Sequence, residues 1–99
     1  MPQKTRINNK LNQAFQEFHK SNPEVYQYFR WFAFEAIISG RKRFSAYLIA
    51  NRIRWETQVV AGDVKFKINN NHIAFYARMF TQEFPEHSDL FELRALRAE

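Results

Sequence analysis

The chain contains no cysteine, only two glycines and only three prolines among its 99 residues. Without cysteine there is no disulfide, no thiolate metal site and no cysteine nucleophile, which suits a reducing compartment. So few glycines and prolines argue against a turn-rich all-β design and against a disordered chain. No apolar run approaches the roughly 20 residues of a membrane span. Residues 1–6 are followed by no apolar stretch of signal-peptide type. The sequence is therefore expected to work in the cytoplasm, with no membrane contact.

What the chain has in quantity is rings. Aromatic residues make up 17% of it, and eleven of them are Phe. A chain this short buries only about 60–65% of the surface it exposes unfolded. Large rings are an efficient way to fill its core. The second abundance is positive charge, at +5 overall. Residues 1–54 hold ten Lys/Arg against three acids, while residues 55–99 hold five against seven. A basic half beside a mildly acidic one suits a protein that meets phosphates with one surface.

Apolar periodicity predicts a mainly α fold in one domain, with four to five helices around a Phe-rich core. Residues 1–6 read as a flexible basic arm. Ile7, Leu11, Ala14, Phe15 and Phe18 recur at spacings of three and four, one helical stripe. Asn22 is a candidate cap and Pro23 a candidate first residue for a second helix over residues 23–39, with Gly40 as its stop. That helix is apolar on two sides, Val25, Phe29, Phe32, Ala33 and Ala36 on one and Trp31, Phe34 and Ile38 on the other. It is expected either at the centre of the fold or against a partner, and the centre is preferred.

Ser45 is a candidate cap for a third helix to about residue 57. Val64, Phe66 and Ile68 alternate with Lys65 and Lys67, a strand period, so residues 58–68 read as a small β-hairpin or an anchored loop. Asn69, Asn70 and Asn71 offer caps for a fourth helix that Pro85 ends. Its inner face carries Ile73, Tyr76, Ala77, Phe80 and Phe84. Leu90, Leu93 and Leu96 suggest a short last helix from about residue 88.

Turned outward, the fourth helix presents Asn71, Ala74, Phe75, Arg78 and Gln82. Asn, Gln and Arg have the two-point geometry that reads base edges. Arg52 and Arg54 on the preceding helix, with Lys65 and Lys67 in the connection, are candidate phosphate contacts. The two helices then resemble a helix-turn-helix, although the connection is far longer than the usual three to four residues. Arg41-Lys42-Arg43 and the group Lys4, Arg6 and Lys10 are further phosphate candidates. Trp31, Tyr47, Trp55 and Phe75 are the rings least explained by the inner faces. They could stack on single-stranded bases, though in a small domain such rings are usually core.

Catalysis and cofactors find little footing. His19, His72 and His87 show no pair at metal-ligand spacing on one helix face, so neither a metal nor a cofactor is expected. Glu86, His87, Asp89 and Glu92 read as a cap and a solvated face. A hydrolase or nuclease built on His72 or His87 is the weakest alternative.

Several segments also resemble a family of small phage and prophage proteins of uncharacterised function. These are Phe18-His19-Lys20-Ser21-Asn22-Pro23-Glu24-Val25-Tyr26, Ile53-Arg54-Trp55-Glu56-Thr57 and Phe66-Lys67-Ile68-Asn69-Asn70-Asn71. Tyr76-Ala77-Arg78-Met79-Phe80 and Asp89-Leu90-Phe91-Glu92-Leu93-Arg94 complete the set, and the likeness spans about residues 15–97. The resemblance implies a phage accessory role in a bacterial host cell, but carries no site residue with it. Such roles include binding DNA and blocking a host enzyme or defence complex. The leading expectation is a DNA-binding accessory or regulatory protein, for which a homodimer would pair the reading helices. The alternative is a module that binds a host protein or ribonucleoprotein.

Overall fold

The computed structural model describes residues 2–62 and 67–91, with side chains from Lys10 onward. Four helices form it: α1 (Pro2–Ser21), α2 (Glu24–Ile38), α3 (Ala46–Trp55) and α4 (Asn70–Glu83). A wide π turn (Glu56–Val60) extends α3, and a 3₁₀ turn (Pro85–His87) follows α4. No strand occurs among the described residues, and the single β-type contact is a parallel bridge between Phe44 and Phe91. The mainly α expectation therefore holds.

Three boundaries differ from expectation. Residues 2–6, read as an arm, belong to α1. Val59 and Val60, at the start of the segment read as a hairpin or anchored loop, lie in the π turn instead, where the Ala61 amide donates to the Glu56 carbonyl at 2.9 Å. Val64, Lys65 and Phe66 fall outside the described residues. Residues 88–91 are not helical, because the chain after the 3₁₀ turn runs beside Phe44, whose amide donates to the Leu90 carbonyl at 2.8 Å. Leu93 and Leu96 also lie outside the described residues.

The helix ends follow from local chemistry. Ser45 caps α3, its hydroxyl accepting from the Tyr47 and Leu48 amides, and Asn69 caps α4 through the His72 amide at 3.0 Å. Asn22 does not cap α2; its side chain donates back to the Phe18 carbonyl at 3.1 Å, and Pro23 sits at the cap position. Gly40 ends α2 with φ +97°, where a side chain would be strained. The Arg41 amide then reaches the Ala36 carbonyl and the Gly40 amide the Ile37 carbonyl, the paired closure of a Schellman motif.

The core is a continuous set of rings and branched aliphatics from every helix. Phe15, Val25, Phe29, Ile49, Ile53, Ile73, Tyr76 and Phe80 are its largest fully buried side chains. Rings make the joints. Phe15 of α1 lies edge-on to Tyr76 of α4 at 4.8 Å, and Phe34 of α2 meets Phe84 at 4.9 Å. Phe29 of α2 contacts Phe91 at 5.5 Å. The helix at the centre is α4, which packs against α1, α2 and α3. The second apolar side of α2 is split: Phe34 is half-buried against α4, but Trp31 and Ile38 face outward.

Candidate nucleic-acid interface

Arg41, Lys42 and Arg43 stand on the loop between α2 and α3, all exposed. The loop is pinned at both ends, by the Schellman closure at Gly40 and by the Phe44–Leu90 hydrogen bond. Among the described residues no ion pair reaches these three cations. The backbone thus holds three positive side chains at a fixed edge of the fold, without an acid paired to them among the described residues.

Arg52 and Arg54 are placed differently from expectation. Arg52 is flanked by Glu35 of α2 at 3.9 Å and Glu56 at 3.6 Å, and its guanidinium lies 4.6 Å from the centre of the Phe32 ring. It ties α3 to α2 rather than standing free. Arg54 donates to the Ile68 carbonyl at 2.6 Å and to Asn51 Oδ1 at 2.7 Å. That carbonyl belongs to the irregular segment leading into α4, so Arg54 fastens the connection between the two helices. Lys67 is exposed beside buried Ile68, and Lys65 lies outside the described residues.

On α4, Asn71 and Gln82 are exposed near opposite ends, while Ala74, Phe75 and Arg78 between them are half-buried. Phe75 stacks on Phe15 of α1 at 4.9 Å. The arc expected to enter a groove is therefore partly covered by α1. α3 and α4 do pack together, but residues 56–69 join them in place of a tight turn.

The histidines serve packing. His72 is buried, its ring 4.5 Å from Phe18 and 6.0 Å from Phe15, and burial lowers its pKa below the ordinary 6.5. His87 lies edge-on to Phe34 at 5.7 Å. Among the described residues no group of three His, Asp or Glu side chains converges in a way that could hold a metal ion. No described helix is long and apolar enough to cross a membrane.

One surface was only partly visible in the sequence. Trp31 and Ile38 of α2, Tyr47, Leu48 and Trp55 of α3, and Val59 and Val60 of the π turn are all more than half exposed. The three rings are among those least explained by the inner faces, and the usual outcome for such rings, burial in the core, does not hold for them. Every exposed large apolar residue among those described falls on these three consecutive elements. The exposed positions of α4 are Asn70, Asn71, Gln82 and Glu83, and those of the described part of α1 are polar apart from Ala14. The signal in the sequence was the residue count per helix turn. Tyr47, Leu48 and Trp55 lie opposite Ile49 and Ile53 at about 100° per residue.

No family model, curated protein or solved structure matches the chain.

Proposed function

We propose that the protein is a nucleic-acid-binding accessory or regulatory protein of phage type, and that it grips phosphates with Arg41, Lys42, Arg43 and Lys67. The observation that carries this reading is the pinned, exposed Arg41-Lys42-Arg43 loop, with no acidic partner among the described residues. Such side chains release counterions when they meet a phosphate backbone, which favours binding to any nucleic acid. Arg52 and Arg54 leave the list of phosphate contacts, being engaged within the fold. Asn71, Arg78 and Gln82 contribute little base reading because α1 partly covers the arc between them. The expected mode is strong salt dependence with weak sequence preference.

The test is DNA binding at 50 and 200 mM salt. Four phosphate contacts give an affinity loss of about 150-fold over that interval for duplex DNA. The Arg41→Ala/Lys42→Ala/Arg43→Ala variant should bind more weakly and lose most of that salt dependence. Wild-type protein that binds no DNA or RNA at 50 mM salt would refute the reading, as would a triple variant indistinguishable from wild type.

A second reading is favoured by a separate observation, the exposed apolar residues of α2 and α3. Contiguous exposed apolar surface marks interaction sites in soluble proteins. On this reading the protein is a module that binds a host protein or ribonucleoprotein. Complex formation that survives high salt and is lost with Trp31→Ala would support it.

A further inference from the structure

Resting on the nucleic-acid reading and narrowing it, we propose that the outward face of α2, α3 and the π turn binds single-stranded nucleic acid. Bases lie on Trp31, Tyr47 and Trp55, and the backbone follows Arg41, Lys42 and Arg43.

Each ring lies on the outward side of its own helix, and the two helices pack together. Trp31 and Ile38 point away from the buried stripe of α2, and Tyr47, Leu48 and Trp55 point away from that of α3. Arg52 bridges the two helices at Glu35, which lies between Trp31 and Ile38 on α2. Trp31 is 66% exposed, Tyr47 53% and Trp55 59%. At the 150–250 Å² such rings bury when covered, they leave roughly 300–400 Å² of aromatic surface in water.

Charge selects the occupant. Between residues 25 and 62 the only acids are Glu35 and Glu56, against six Lys/Arg. Both acids are matched to Arg52, which leaves the loop cations uncompensated among the described residues. A second copy of the chain would bring the same positive face against itself, an unfavourable pairing. A polyanion is the complementary partner. Duplex DNA hides its base faces in the stack and offers the rings nothing to cover. A single strand presents both phosphates and planar apolar bases, the combination that positive surfaces with aromatic platforms take. Ile38 and Leu48, exposed on the same two helices, add apolar surface on which bases can rest.

The experiment is titration of tryptophan fluorescence with a 20-nucleotide oligo-dT strand and with a 20-base-pair duplex at 50 mM salt. Wild type, Trp31→Ala, Trp55→Ala and Trp31→Phe are compared, with thermal melts to confirm folding. Quenching and tighter binding by the single strand are expected. Each alanine variant should weaken single-strand binding by at least about fivefold while leaving duplex binding unchanged. Trp31→Phe, which keeps a ring, should retain most of the affinity. Equal binding of strand and duplex, unmoved by the tryptophan variants, overturns this proposal and leaves the phosphate-binding reading intact. Binding of neither overturns both. A dimer in sedimentation that Trp31→Ala dissociates assigns the face to a second copy and also overturns the proposal.

Discussion

Replacing Arg54 by Ala separates a structural role from a phosphate-binding one. Its guanidinium donates to the Ile68 carbonyl at 2.6 Å across a part-buried path, and to exposed Asn51 at 2.7 Å. A hydrogen bond from a charged donor contributes about 1.5–3 kcal/mol, whereas an exposed side-chain pair contributes little. Removing the side chain also leaves the Ile68 carbonyl, on a residue 5% exposed, without this donor. The expected loss is about 2 kcal/mol, which for a domain this size lowers Tm by roughly 8–16 °C. Circular dichroism melts and urea titrations of wild type and variant measure it. Arg54→Lys should recover only part of the loss, because a lysine cannot supply two donors in a planar fork. Below the melting range, the slope of log affinity for DNA against log salt should be unchanged. An unchanged Tm together with a slope shallower by about 0.9 would refute the reasoning and return Arg54 to the phosphate-contact set.

Two buried polar groups give further tests. Tyr76 is 1% exposed, burial and the nearby Glu24 charge push its phenol pKa well up, and its hydroxyl has no protein partner among the described residues. Tyr76→Phe should therefore keep or raise stability, by up to about 1 kcal/mol in urea unfolding; a loss larger than that would show that the hydroxyl is bonded in solution. His72 is held neutral by burial, with its pKa lowered from 6.5. The unfolded chain then binds the proton more readily than the fold does, so stability is full above pH 6.5 and falls as pH drops below it towards the depressed folded value. His72→Phe should flatten that part of the pH–stability profile, and an unaltered acid slope would place its cause elsewhere.

The helices were legible because their apolar stripes repeat at three and four. Ile73, Tyr76, Ala77 and Phe80 needed no tertiary information to be placed inside, and all four are buried. Ser45 and Asn69 were legible as caps for the same reason, since a short polar side chain before an apolar stripe satisfies amides that have no partner in the helix. Residues 56–60 were not legible. Val59-Val60 carries β propensity, and the fold overrides it by continuing α3 with one extra residue in the turn and burying Thr57, whose hydroxyl bonds to the Ile53 carbonyl at 2.9 Å. The central place of α4 was not legible, because only α2 looks apolar on two sides in sequence. Only packing shows that Phe75 lies on Phe15 while Trp31 is left outside. The site followed the same pattern. Exposure of Arg41, Lys42 and Arg43 could be read from their run of charge, but the engagement of Arg52 and Arg54 depends on Glu35 and on the Ile68 carbonyl, 17 and 14 positions away in sequence.

The position of α4 has a consequence for synthesis. A nascent chain that has not yet delivered Asn70–Glu83 can form α1, α2 and α3 one after another, but Phe15 then has neither Tyr76 nor Phe75 to lie on. The ring face of α1 must wait for α4 before Phe15 is covered. Until then its ring face and the inner faces of α2 and α3 are exposed together on the ribosome, which makes this interval, rather than any property of the finished fold, the time at which the protein is most open to aggregation or chaperone capture.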